Sequence, residues 1–151
     1  MRLARTACQY VEEHSGKRLN ENTYRYTLAS FCPSIILPLR PVRDIVSIEY
    51  YDTENVQQTM TDYRFFNDEE CPQLSAAEGE WPETYDRYDA VAITFISGYA
   101  DTHDFPENLK QAAIMLASHW YEHRTATGLK IDDIPFGVDN LINQSKVNWF
   151  V

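Results

Sequence analysis

Two segments of this chain carry apolar residues at helical spacing, one at each end. The first covers residues 1–16, where an apolar stripe is followed by Gly16, a natural left-handed stop. The second covers residues 106–125, where Pro106 suits the first helical position and an apolar stripe extends to Trp120. A shorter amphipathic segment opens the region 136–151. The pattern predicts two long helices and a short one followed by a C-terminal tail.

Between the helices, residues 23–99 change to period two, with many β-branched and aromatic residues. The strand candidates are residues 23–31, 45–51, 62–66 and 89–99. The last candidate is apolar on both faces, which predicts a central strand, and the turn-forming residues 52–55 predict a hairpin with the short segment 56–60. We therefore expect an α+β single domain over residues 1–151, with helices packed around a small, mostly antiparallel sheet.

Composition and charge narrow the classes of function. The hydrophobic fraction of 44% is normal for a globular protein, and the net charge of −10 disfavours nucleic-acid binding through phosphate attraction. The three cysteines are widely spaced and form no C-x-x-C motif, which is typical of a reducing compartment. No apolar run reaches the length of a membrane span, so no membrane partner is expected.

The sequence His119-Trp120-Tyr121-Glu122-His123 matches the H-x-x-E-H pattern of zinc peptidases. Two histidines four residues apart on a helix can meet one metal ion, with Glu122 as a general base. A third ligand is required, however, and no Glu follows Glu122, so that only Asp132, Asp133 and Asp139 are candidates. The other interpretation is a half-buried His119 beside the apolar stripe and a cationic last turn. We favour this second interpretation, and expect neither a metal ion nor another cofactor.

Two aromatic segments are candidates for protein contacts. The first is a long acidic loop with Trp81, Tyr85 and Tyr88, which either packs onto its own sheet or contacts a neighbouring subunit. The second is the C-terminal segment, which ends in three apolar residues and has few ways to bury itself, so docking on a partner is favoured. Its residues are Val147, Asn148, Trp149, Phe150 and Val151.

Several segments in order resemble the head–tail connector, or adaptor, proteins of tailed bacteriophages. The most specific are the Trp81-Pro82 pair before the last strand, the Gly98-Tyr99 pair after it, and the helix that ends in His119 to Arg124. The segments that carry the resemblance are residues 7–19, 37–52, 62–66, 78–101, 105–124 and 134–142. They cover nearly the whole chain. Similar proteins usually have another helix before the first one here, so we expect this chain to start late or to be a shortened form.

The resemblance implies a structural role without catalysis. Such proteins form a ring, typically of twelve subunits, beneath the portal protein at one capsid vertex. The ring extends the channel through which genomic DNA passes, without specific DNA binding, and provides a platform for the next head-completion or tail protein. Residues 147–151 would then contact the portal. The implied location is the virion, at the head–tail interface, and the host cytoplasm during assembly.

Two other functions remain open from the residues alone. One is a zinc-dependent hydrolase that uses residues 119–123, and the other is a soluble, non-viral binding module. Measuring the metal content of the purified protein distinguishes the hydrolase from a connector. Testing whether the protein assembles into rings distinguishes the binding module from a connector.

Overall fold

A computed structural model describes residues 2–69, 71–122 and 136–146. The chain divides into two compact units. A helical unit consists of the described parts of Met1–Leu19 and Ala100–Val151, so both ends of the chain contribute to it. A strand unit consists of Asn20–Tyr99.

The helical unit contains α1 (Arg2–Ser15), α2 (Glu107–Glu122) and α3 (Phe136–Gln144), with a 3-10 turn at Thr102–Asp104 before α2. Each helix buries one apolar stripe against the other two, as expected for helices that are polar on their outer faces. The fully buried core residues are Ala7, Val11, Leu19, Leu109, Ala112, Leu116, Val138 and Ile142. The predicted apolar stripe of α2 is therefore confirmed as the packing face.

Polar side chains hold the ends of these helices in place. Glu12 accepts the backbone N–H of Leu19 at 2.8 Å, which keeps the chain after α1 folded back onto the core. Between these two residues, Gly16 has a φ of 75°, the left-handed conformation predicted for a helix stop. The Asn108 amide in α2 donates to the Leu141 carbonyl at 2.9 Å, joining α2 to α3.

The strand unit contains two antiparallel sheets. The first has the order β1-β7-β3-β4 and the second has the order β2-β6-β5. The strands are β1 (Asn22–Leu28), β2 (Ser34–Ile36), β3 (Val42–Tyr51), β4 (Gln57–Met60), β5 (Tyr63–Phe66), β6 (Gln73–Ala76) and β7 (Val91–Ser97). The inner faces of both sheets share one core, in which Ile48 and Ile93 from the first sheet are clustered with Leu74 from the second.

The structure confirms the predicted α+β class, the central position of β7 and the β3–β4 hairpin. Beyond the predicted strands it has β2 and β6, which together with β5 make a second sheet. β2 is only three residues long and follows Pro33, and β6 contains no β-branched or aromatic residue, so neither has the pattern that predicted β5. No helix in the described ranges is both long enough and apolar enough to cross a lipid bilayer.

Candidate interaction surfaces

The acidic loop before β7 is fixed to its own sheets by Trp81. The indole ring stacks on Phe31 with a centroid distance of 4.5 Å and an interplanar angle of 4°, and Phe31 in turn meets Tyr50 edge-on at 5.6 Å. Trp81 thereby packs against the core shared by the two sheets. Of the two interpretations given for this loop, self-packing describes Trp81 in the isolated chain, and its contact with another subunit stays a prediction.

A second anchor is Arg87, later in the same loop. Its guanidinium lies 4.0 Å above the ring centroid of Tyr51, donates to both carboxylate oxygens of Asp89 at 2.6 and 2.8 Å, and donates to the Asn55 side chain at 3.3 Å. The hydrogen bonds from Arg87 hold the pKa of Asp89 below its usual range. The loop and the β3–β4 turn are thus joined side by side through one arginine.

Tyr85 and Tyr88 remain exposed on this anchored loop. The backbone N–H of Tyr85 donates to the Tyr51 carbonyl at 3.0 Å, yet its side chain is 42% exposed and that of Tyr88 is 85% exposed. Val56, next to the arginine's partner Asn55, is 50% exposed. We call Val56, Tyr85 and Tyr88 the tyrosine patch. Each of the three exposes apolar area on a backbone that hydrogen bonds and ring contacts already hold in place.

The helical unit has an open groove of about 630 Å³ between the start of α1 and the end of α2. Its walls are Arg2, Leu3, Ala4, Ala117, Ser118, Tyr121 and Glu122. The small residues Ala4, Ala117 and Ser118 leave the space open, and Tyr121 is 62% exposed at its edge. We call this surface the helix groove. Sequence reasoning missed it because it depends on how α1 packs against α2.

The H-x-x-E-H segment lies at the end of α2. His119 is half-buried beside the packing face and Glu122 is exposed in the last turn, whereas His123 lies outside the described residues. Of the possible third ligands, Asp132 and Asp133 also lie outside the described residues, and Asp139 is exposed in α3. Burial, and then the negative charge of Asp139, raise the pKa of Tyr10. Within residues 2–69, 71–122 and 136–146, no three His, Cys, Asp or Glu side chains are grouped to hold a metal ion.

The negative charge of the protein is concentrated in the strand unit. Residues 20–99 contain 14 Asp and Glu against 5 Arg and no Lys, a net −9 of the total −10. One of the few ion pairs there joins Arg25 on β1 to Glu49 on β3 at 3.9 Å, which spans the outer face of the central strand β7. The helical unit is close to neutral by comparison, and a partner would meet two surfaces of different charge on one chain.

No family model matches this chain, and no curated protein matches its sequence. Solved structures of gene transfer agent (GTA) particles do match it. A chain in the neck of a native GTA particle, computed with C12 symmetry, is 25% identical, with 99% of this chain and 82% of that chain covered and a TM-score of 0.80. This protein has the fold of a phage-like neck protein.

Two further GTA particle structures contain chains that match this protein to a similar extent. A chain in the neck of an empty GTA particle, computed with C6 symmetry, has a TM-score of 0.80, and one in the virion of a native particle has a TM-score of 0.81. Each is 25% identical, with 99% of this chain and 77% of the other covered. The likeness confirms the resemblance to head–tail connectors and supports a structural role. The C-terminal segment 147–151 lies outside the described residues, so its portal contact stays a prediction.

Proposed function

We propose that this protein is a ring-forming subunit of the head–tail connector of a phage-like particle. The observation that carries the proposal is the match of 99% of the chain to a subunit of a neck computed with C12 symmetry. Because the match extends over both the helical and the strand unit, the whole described fold is available for this role. The ring is located in the virion, beneath the portal, and its subunits are present in the host cytoplasm during assembly.

The charge of the chain supports a channel that DNA passes without binding. Twelve copies at −10 each would carry a formal charge of −120, nearly all of it from the strand units. A surface of this sign repels the phosphate backbone, since nonspecific DNA binding depends on cationic side chains that replace counterions. The ring thereby extends the DNA channel without retaining the genome.

The proposed partners are further copies of the chain, the portal protein, and the next head-completion or tail protein. Residues 147–151 are the proposed portal contact, because an apolar chain end gains most from burial on a partner. Truncation before Asn148 should weaken portal binding while the purified chain keeps its circular dichroism spectrum. Unchanged portal binding would remove this assignment.

Assembly is the decisive test of the proposed role. The purified chain is mixed with the portal protein and examined by native mass spectrometry and negative-stain electron microscopy. We expect rings seated on the portal, with the free chain either monomeric or assembled, because partner binding can trigger assembly. A chain that stays monomeric with the portal present contradicts the proposal and favours the soluble binding module.

The zinc-hydrolase alternative is tested by metal analysis of the same preparation. A structural or catalytic site that binds tightly copurifies with close to one equivalent of zinc, and less than roughly a tenth of an equivalent would end this alternative. His119→Ala is the matched variant, because loss of bound zinc in this variant would locate the metal at the H-x-x-E-H segment.

A further inference from the structure

We propose that the tyrosine patch of one copy docks into the helix groove of the next copy, so that neighbouring ring subunits meet head to tail. This inference rests on the proposed ring and names the surfaces that build it. The patch belongs to the strand unit and the groove to the helical unit, so every copy carries one of each.

The tyrosine patch has the properties of a binding anchor. Tyr88 is the most exposed of the large hydrophobic side chains in the described residues, at 85%. Its loop is already fixed by Trp81 and by Arg87, so docking would order few additional groups. Preorganised tyrosines bury a large area at a small cost in conformational entropy, which is why they are enriched among residues that dominate binding.

The helix groove has the size and lining to receive such an anchor. Its volume of about 630 Å³ lies in the range of pockets that enclose a bulky group, and Leu3, Ala4 and Ala117 supply an apolar lining. Ser118 and Glu122 in the same walls offer an oxygen acceptor to a phenol hydroxyl. The groove has room for one or two tyrosine side chains, whose docking would remove apolar surface of both copies from water.

The charges around the two surfaces are complementary, which selects a second copy as the occupant. Glu83 and Asp86 flank the patch in its own loop and have no ion pair to another described residue. Arg2 in the groove wall and Arg5 one turn later on α1 likewise have none, and α1 has no acidic residue before Glu12. An acidic rim around the tyrosines would therefore meet the basic start of α1, while Glu122, at the α2 side of the groove, accepts from a tyrosine hydroxyl.

Different surfaces on the two sides of a contact make it heterologous. A heterologous contact repeats from copy to copy and gives a closed ring when the rotation closes, whereas a self-complementary patch gives only a dimer. The contact proposed here has the form that a ring of more than two subunits requires.

Paired cysteines test the contact directly. Tyr88→Cys and Ser118→Cys are made singly and together in a Cys32→Ser background, and the chain assembled with the portal is treated with a short bismaleimide. The double variant should give a ladder of covalent oligomers, and an equal mixture of the two single variants should give dimers only. Phe66→Cys paired with Ser118→Cys is the control, because Phe66 is also a well-exposed aromatic residue, at 65%.

The outcomes separate this contact from the ring itself. Rings of the double variant without a cross-link between positions 88 and 118 overturn the contact and leave the proposed function intact, whereas failure of the unsubstituted chain to assemble with the portal overturns both. A ladder between position 118 and a cysteine at Asn148 would identify the tail as the occupant of the groove and overturn the tyrosine contact.

A charge reversal gives a second, independent readout. Arg2→Glu with Arg5→Glu, or Glu83→Arg with Asp86→Arg, should each weaken self-association, and the four changes together should restore it. Tyr88→Ala should weaken it roughly 30-fold, the loss typical of a hot-spot residue. The controls are Arg64→Glu and Phe66→Ala, which lie on the second sheet. Equal losses in the controls, or no rescue by the combined reversal, would refute the contact.

Discussion

Gly98 provides the sharpest test of the strand unit, because an added methyl group has no room there. The residue follows β7 with a φ of 112°, where L-residues are strained. A Cβ at this position would lie 2.5 Å from the carbonyl carbon of Asn20 and 2.8 Å from the Cα of Glu21. Both neighbours are backbone atoms that no side-chain rotation can move. Gly98→Ala must therefore separate the end of β7 from the start of β1.

The cost of this substitution has two parts. The backbone conformation alone costs about 1–3 kcal/mol for a residue with a Cβ. Separation of the strands also strains the hydrogen bond from Gly98 N–H to the Pro41 carbonyl, now 2.9 Å, and the bridge between Asn20 and Tyr99. A lost backbone hydrogen bond costs about 1 kcal/mol, so the loss of this bond and of the bridge together adds about 2 kcal/mol. We expect a total loss of about 3–5 kcal/mol, a large share of the 5–15 kcal/mol typical of a whole domain.

Urea denaturation followed by circular dichroism measures this loss, with Gly79→Ala as the matched control. Gly79 has a φ of 92°, but a Cβ there would meet no described atom within 4 Å, so only the conformational strain applies. Gly98→Ala should exceed the control by about 2 kcal/mol. Equal losses at the two positions would show that the close approach to Asn20 does not exist in solution.

Three further predictions concern packing and pH. Leu116→Ala should lower the free energy of unfolding by about 3 kcal/mol because Leu116 is fully buried. The control Ile114→Ala, at an exposed site of the same helix, should change it by less than about 0.5 kcal/mol. Equal urea midpoints for the two variants would contradict the packing face of α2. Asp52 accepts hydrogen bonds from Gln58 and from backbone N–H groups, and these bonds lower the pKa of Asp52 below the ordinary 3.8. The contribution of Asp52 to stability should therefore be present above pH 3.8 and be lost as the pH falls below that value. Urea denaturation at a series of acidic pH values should show that Asp52→Asn weakens the dependence of the free energy of unfolding on pH. The same pH dependence in the variant and the unsubstituted chain would refute this role of Asp52. Burial, and then the charge of Glu69, raise the pKa of Tyr99 to about 12, so the folded protein favours the neutral phenol. The free energy of unfolding should therefore fall as the pH rises from about 10 towards 12. Tyr99→Phe should remove that loss, and an identical alkaline profile in the variant would count against it.

Some surfaces were identified from sequence only in part. The aromatic loop was identified from Trp81, Tyr85 and Tyr88, but these residues have different environments, since Trp81 packs on Phe31 while Tyr88 stands in solvent. An aromatic residue in an acidic loop is compatible with burial and with exposure, and the stacking partner of Trp81 is 50 residues away in the chain. The role of Arg87 had no sequence signal, because its partners Tyr51 and Asn55 belong to the β3–β4 hairpin, at least 32 residues earlier in the chain.

The sequence by itself determined the packing face of α2 and the central position of β7. Leu109, Ala112 and Leu116 are spaced for one face of a helix, and the apolar residues on both faces of β7 require a central position, so local periodicity was sufficient. Only the tertiary structure decided the second sheet, the anchored loop and the helix groove. Each depends on contacts between residues far apart in the chain, such as the pairing of Ser34 with Ser75, and periodicity within one element carries no information about which distant segment it will meet.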